Sequence, residues 1–362
     1  PIQSFLAIDP FEIRHEIQFQ VRDVRGLLGL APGSDTVPVQ DQARILELLR
    51  DLASENAHVE IDGAPAQGFV DRVTFMTIDP QGVLPRQVAV PEPVAEALVG
   101  VTILYITPGM AESVRLSWDG VFDVAAAIPS TIIDPESSRP LQVTAAATAV
   151  SWQNELAEDP VPRVSEVPVE APKVPIPLAS IPFLLGALYL AGTAIRKRQA
   201  RLDGAAVRLS LALALALAPL AEIAVALPVG LGGVGSERQA RQILAGVLPN
   251  VYRALEIRAE EPAYDRLSVV VTGETLTDVY LEHRRALFME ERGGARARVD
   301  AVEVTDVQEV TATDDGGFRA LATWTVGGNV THFGHRHFRQ NRYEATVGVV
   351  PVNGVWKIDG IE

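Results

Sequence analysis

Two long apolar stretches joined by a cluster of cations restrict this chain more than any other feature. Residues 174–195 (VPIPLASIPFLLGALYLAGTAI) run for 22 positions without a charge. At ~1.5 Å per residue, a helix of that length crosses the ~30 Å hydrocarbon core of a bilayer. A second stretch follows Arg208, and its one charge is Glu222. The intervening RKRQARLDGAAVR holds Arg196, Lys197, Arg198, Arg201 and Arg208 against a single acid, Asp203. Paired runs of this kind are rare in water-facing folds. The expectation is a membrane protein with a two-helix transmembrane hairpin: helix 1 at 174–195, a basic loop at 196–208 and helix 2 at 209–235. Cationic loops stay in the cytoplasm. Arg196, Lys197, Arg198 and Arg201 therefore set the topology, in the inner (cytoplasmic) membrane of a bacterium. Both flanking portions would then be periplasmic, and export of the first would call for a leader ahead of Pro1.

The flanks read as folded domains. The chain has 362 residues, enough for two or three domains, and 46 acids against 31 bases give a net charge of -15. That balance argues against a nucleic-acid partner, because phosphate binding needs clustered Lys and Arg. The absence of cysteine removes disulfides, thiolate metal sites and Cys nucleophiles.

Glu12–Val21 (EIRHEIQFQV) alternates polar and apolar residues with the period of a half-buried strand. Further strands are expected at 58–61, 69–78, 98–106, 113–118 and 141–152, with a helix at 39–56 carrying the apolar stripe Ile45, Leu46, Leu48, Leu49 and Leu52. Residues 1–154 are thus expected to form a β-sandwich-like domain with one helix. His15, on the apolar face of its strand, reads as a core histidine. Residues 155–173 form a Pro-rich linker of extended character.

After the second run, helices are expected at 237–258 and 263–291, the latter interrupted at Gly273. Strands follow at 298–313, 318–326, 335–350 and 355–361. The turns are explicit: Asp314-Asp315-Gly316-Gly317, and Asn353-Gly354 before Val355-Trp356-Lys357-Ile358. Helices first, then long antiparallel strands ending in this Gly-Val-Trp-Lys-Ile segment: the order resembles the nuclear-transport-factor-2-like α+β family over about residues 240–362. The resemblance implies a cone-shaped α+β domain at 236–362. The family includes enzymes, ligand binders and assembly modules with no universal catalytic residue, so none is carried over. The first 170 residues resemble no family.

Four groups of side chains are candidates for function. His332, His335 and His337, two of them on one strand face, suit copper or zinc through neutral imidazole. Arg336, Arg339 and Arg342 form a partner-contact face. In the apolar runs, Ala187 and Ala191 would permit close helix approach, and Glu222 would face protein. Asp278, Glu282, His283 and Tyr343 could serve an enzyme only if they converge. No Ser/His/Asp spacing, paired-carboxylate motif or glycine-rich phosphate loop is evident. The resulting expectation is a non-catalytic accessory, scaffold or assembly subunit of a membrane protein complex, with no cofactor, contacting other subunits and the lipid bilayer. The alternative is a metal- or small-ligand-binding protein using the His332/His335/His337 strand or the cone cavity.

Overall fold

The structure is a computed structural model. It describes residues 2–362 except Pro32, Pro80, Gln81, Gln87, Val124, Gly235, Arg258 and the stretches 170–172, 178–180, 198–209, 213–221, 227–233 and 291–296. The N-terminal half contains β1 (Ile2–Asp9), β2 (Glu12–Gln20), α1 (Val21–Val24), β3 (Thr36–Val37), α2 (Val39–Asn56), β4 (Ala57–Ile61), β5 (Ala64–Pro65) and β6 (Phe69–Asp79). It continues with β7 (Gly82–Pro85), β8 (Glu92–Pro93), β9 (Leu98–Ile106), β10 (Ser113–Trp118), β11 (Ala127–Ile133), β12 (Ser138–Thr144) and β13 (Ala149–Gln153). Seven strands make one sheet in the order β12-β11-β1-β2-β9-β6-β7, and four make another in the order β13-β10-β4-β5. The large sheet is mixed, because β1 runs parallel to β11.

The alternation of β1 and β2 decides what each face buries. Leu6, Ile8, Ile13, Ile17 and Phe19 turn inward and are almost fully buried. They join Ile45 and Leu49 of α2 and Leu116, Trp118 and Trp152 of the small sheet in one core. Each such side chain contributes ~1.5–3 kcal/mol on burial. Asp134, just after β11, ties the two sheets: its Oδ2 accepts from Trp152 Nε1 (3.0 Å) and Ser137 Oγ (2.9 Å). Partial burial works to raise its pKa, but these bonds outweigh that and hold it below the ordinary aspartate value. The expected single strand at 141–152 is two strands in different sheets. The chain leaves the large sheet after Thr144, turns through Ala145–Ala147 and enters the small one at Ala149.

The C-terminal half begins with β14 (Lys173–Pro177), α3 (Ile181–Lys197) and β15 (Glu222–Ala226), followed by α4 (Glu237–Ala254), α5 (Glu260–Ser268) and α6 (Gly273–Glu290). Four long strands close it: β16 (Ala297–Ala312), β17 (Phe318–His332), β18 (His335–Val352) and β19 (Val355–Ile361), an antiparallel meander in sequence order. Ser236 caps α4, accepting from Gln239 N at 3.3 Å. The helix lays Leu244, Val247, Leu248 and Val251 on sheet residues Phe318, Ala322, Trp324, Val347, Val349 and Ile358. It continues through Pro249. The Pro-rich tract is not a free spacer: Val167 O and Gly354 O exchange bonds with Trp356 N and Val169 N (both 2.8 Å), and Ser165 N donates to Asn250 Oδ1 at 3.1 Å.

The two-span hairpin is not found among the described residues. The first apolar run divides into a strand and a helix, because Pro175 and Pro177 lack donors and force extended backbone ahead of Ile181. β14 pairs with β15, bringing Pro177 opposite Glu222. α3 has 17 residues, and no helix among the described residues is long and apolar enough to cross a membrane. This overturns the expected fold class, the two-span inner-membrane placement and the periplasmic assignment of the flanks. Of the second run, residues 210–212 and β15 are described; the rest of the expected helix at 209–235 lies outside the described residues, as do Arg198 and Arg201. Strand outweighs helix among the described residues, and the two halves touch directly.

Candidate functional site at the junction of the halves

Each half inserts a phenylalanine from a hairpin turn into the other. The first is Phe11, between β1 and β2, with φ at 67°. It is 2% exposed and packs with Ile257 and Ala263 of the C-terminal half. The Arg266 guanidinium lies over its ring, 5.2 Å from the centroid. Arg266 also donates to Pro162 O and, at 3.1 Å, to Arg253 O. Arg298 adds Asp9 at 3.6 Å and Pro160 O at 3.2 Å. Chain entry, turn and helix ends are thereby drawn together around one ring.

The second is Phe333, at the two-residue turn between β17 and β18, where His332 pairs with His335. Phe333 and Gly334 both have positive φ, 45° and 79°, as a primed hairpin turn requires. A bulky residue is disfavoured there, and the seat offsets that cost. Phe333 is 7% exposed against Met76, Val83 and Leu98, with Phe5 alongside. A Cβ added to Gly100 would lie 2.6 Å from the Phe333 ring, so only glycine leaves room for it. A Cβ on Gly334 would meet Phe5 at 2.5 Å.

Under this turn the outer face of the large sheet is charged. Phe333 N donates to Glu16 Oε2 at 2.5 Å, linking residues 317 apart. Arg14 lies between Glu12 (3.5 Å) and Glu16 (3.3 Å). Burial raises the Glu16 carboxyl above its ordinary pKa, opposed first by Arg14 and then by the Phe333 amide. On the opposite face of β2, His15 is fully buried, 2.9 Å from Ser4 Oγ and edge-on to Trp118 at 5.6 Å. Desolvation lowers its pKa to about 3, so it is a neutral core residue at ordinary pH. The Ser4–His15 pair therefore has no access to substrate.

The candidates named from sequence fall as follows. His332 and His335 close the Phe333 turn and His337 stands opposite Val330; the side chains of His332 and His335 lie outside the described residues. Among the described residues no three potential ligands are grouped to hold a metal. Strand alternation puts Arg339 and Arg342 on opposite faces of β18, and the Arg336 side chain lies outside the described residues. Phe338 is 63% exposed, its ring over Gly327. Arg339 and Arg342 are exposed. Ala187 is buried on α3 between exposed Leu184, Leu185, Leu188 and Tyr189. The Ala191 side chain and those of Arg196 and Lys197 lie outside the described residues. Asp278 and Glu282 line a shallow groove with Arg285, whereas Tyr343 stacks on Trp324, so the four enzyme candidates do not meet. Phe11, Phe333, Gly100 and Glu16 escaped the sequence reading. The available signals were Pro10-Phe11 between two alternating runs and Phe333-Gly334 between two β-rich ones.

No protein-family model matches the chain, and no curated protein matches it. Among solved structures, the intermembrane space region of the chloroplast protein ARC6 aligns with 35% of this chain and 95% of that one, at 17% identity and a TM-score of 0.25. A score that low carries no argument about fold or function. The resemblance of residues 240–362 to the nuclear-transport-factor-2-like family is thereby corrected: its basis was element order and one short terminal segment, and no family model supports it.

Proposed function

We propose that this chain is a non-catalytic scaffold or assembly subunit that binds partner proteins, with its two halves locked into one body by the reciprocal phenylalanine turns. The observation that carries the reading is the exposed strip on β18, where Phe338 projects beside Gln340 and Arg342. Exposed aromatic and arginine side chains on a sheet that is fixed at both ends are the usual anchors of protein interfaces. Gly327 beneath Phe338 gives the ring a flat support and leaves its other face open. The arginine favours a partner surface that is acidic around an apolar pocket, and the sheet is already ordered, which lowers the entropic cost of binding.

The test is purification of the full chain from its own cells under mild conditions, followed by cross-linking and mass spectrometry. The expected result is a stable protein partner cross-linked near β18, lost in Phe338→Ala and Arg342→Glu variants that melt like the wild type. Recovery of a lone chain, or a partner retained by both variants, would overturn the reading.

A further inference from the structure

Beside the Phe333 turn lies a cleft of about 780 Å³. Its size falls within the ~300–1,000 Å³ of small-molecule sites. Phe5, Met76, Leu98 and Phe333 give it an apolar lining. Gln18 lies beside them, paired across the strands with Gly100 under the Phe333 ring, and Gln3 is directly opposite on the other neighbouring strand. Gln18 is only 6% exposed, and its side-chain amide, unpaired among the described residues, is open to the cleft. An amide open to a cleft can offer a ligand both a donor and an acceptor. The charges at the far wall are already matched: Arg86 Nε lies 2.6 Å from Glu92 Oε1, and Glu96 is exposed at the rim. Among the described residues the cleft therefore offers no free cation to an anion.

We propose that this cleft binds a neutral amphipathic small molecule. Its apolar part rests on Phe333, Met76 and Leu98, and an amide, amine or hydroxyl group hydrogen-bonds to Gln18. The inference stands on the cleft and not on the β18 strip, so either can fail alone. Because Phe333 and Gly334 form part of the wall, the ligand bridges the two halves and stiffens their junction.

The probe is N-phenyl-1-naphthylamine, which is neutral and carries two aromatic ring systems and one N–H. Fluorescence titration of the full chain is expected to saturate at one equivalent. Gln18→Leu removes one hydrogen bond and weakens binding about tenfold, and Gln3→Trp, which fills the cleft from its rim, abolishes it. Amide exchange in the untouched wild type gives a readout independent of variant folding: bound probe slows exchange at Phe333 and Gly334. Absence of saturation, equal affinity in both variants, or unchanged exchange at the turn overturns the proposal.

Discussion

The two phenylalanine turns perform the same mechanical task in different surroundings. Phe11 enters a closed socket, covered by the Arg266 guanidinium and walled by Ile257 and Ala263. Phe333 rests on the outside of a sheet, with Glu16 beneath its amide and an open cleft at its side. A ring sealed on all sides leaves a dry void when removed, whereas a ring beside a cleft leaves space that water already reaches. The Phe11 turn is thus the structural anchor, and the Phe333 turn is the side of the junction that can answer to a ligand.

Truncation separates them most strongly. Phe11→Ala is expected to cost about 3–5 kcal/mol, the range for a fully buried aromatic. Phe333→Ala is expected to cost about 2 kcal/mol, because the vacated seat is partly wet. Urea denaturation of both variants checks the order, and equal losses would erase the distinction. Gly100→Val attacks the same seat from beneath. Its new side chain occupies the ring's place, and overpacking of this kind costs about 1–3 kcal/mol. Exchange protection should fall at 331–335 while the core of α2 and both sheets stays protected.

Acid tests the halves rather than the turns. His15 is neutral in the folded state with a pKa near 3, against an unfolded value near 6.5. Between those values the unfolded chain binds more protons, so stability is full above pH ~6.5 and falls as the pH drops toward 3. At ~1.4 kcal/mol per pH unit, lowering the pH from 6.5 to 5 costs about 2 kcal/mol. His15→Gln removes that component, and the N-terminal half should then lose its excess acid sensitivity over the C-terminal half, as read by amide exchange in β2 and β9 against β17 and β18.

How much of this was legible beforehand depends on whether the information is local. The alternation in Glu12–Val21, the apolar stripe of 39–56 and the Asn353-Gly354 turn are local patterns, and β2, α2 and the β18–β19 hairpin stand where those patterns put them. The run 174–195 misled because hydropathy is blind to backbone. Pro175 and Pro177 made it extended at one end, and a partner strand at Glu222–Ala226 fixed it there. Both the split of 141–152 between two sheets and the seat of Phe333 depend on residues far away in sequence. Nothing near Phe333 announces that Gly100 will lie beneath it, or that Glu16 will accept its amide proton. The Thr331–Arg339 segment is rich in histidine, yet the residue that organises it is the aromatic at the turn.

Two glycines in equivalent turns differ in a single contact. Gly334 and Gly354 both have φ near 80°, where any other L-residue is strained. A Cβ at Gly354 meets nothing within 4 Å, so Gly354→Ala costs only the backbone strain, about 1 kcal/mol. A Cβ at Gly334 meets the Phe5 ring at 2.5 Å, so Gly334→Ala must also push that ring or lift the turn. The expected loss is about 2 kcal/mol, with the excess over Gly354→Ala appearing as faster exchange at the junction alone. If the two substitutions cost the same, the Phe333 turn is not pressed against the sheet and the halves are held on the Phe11 side, with Arg266 and the Arg298–Asp9 pair.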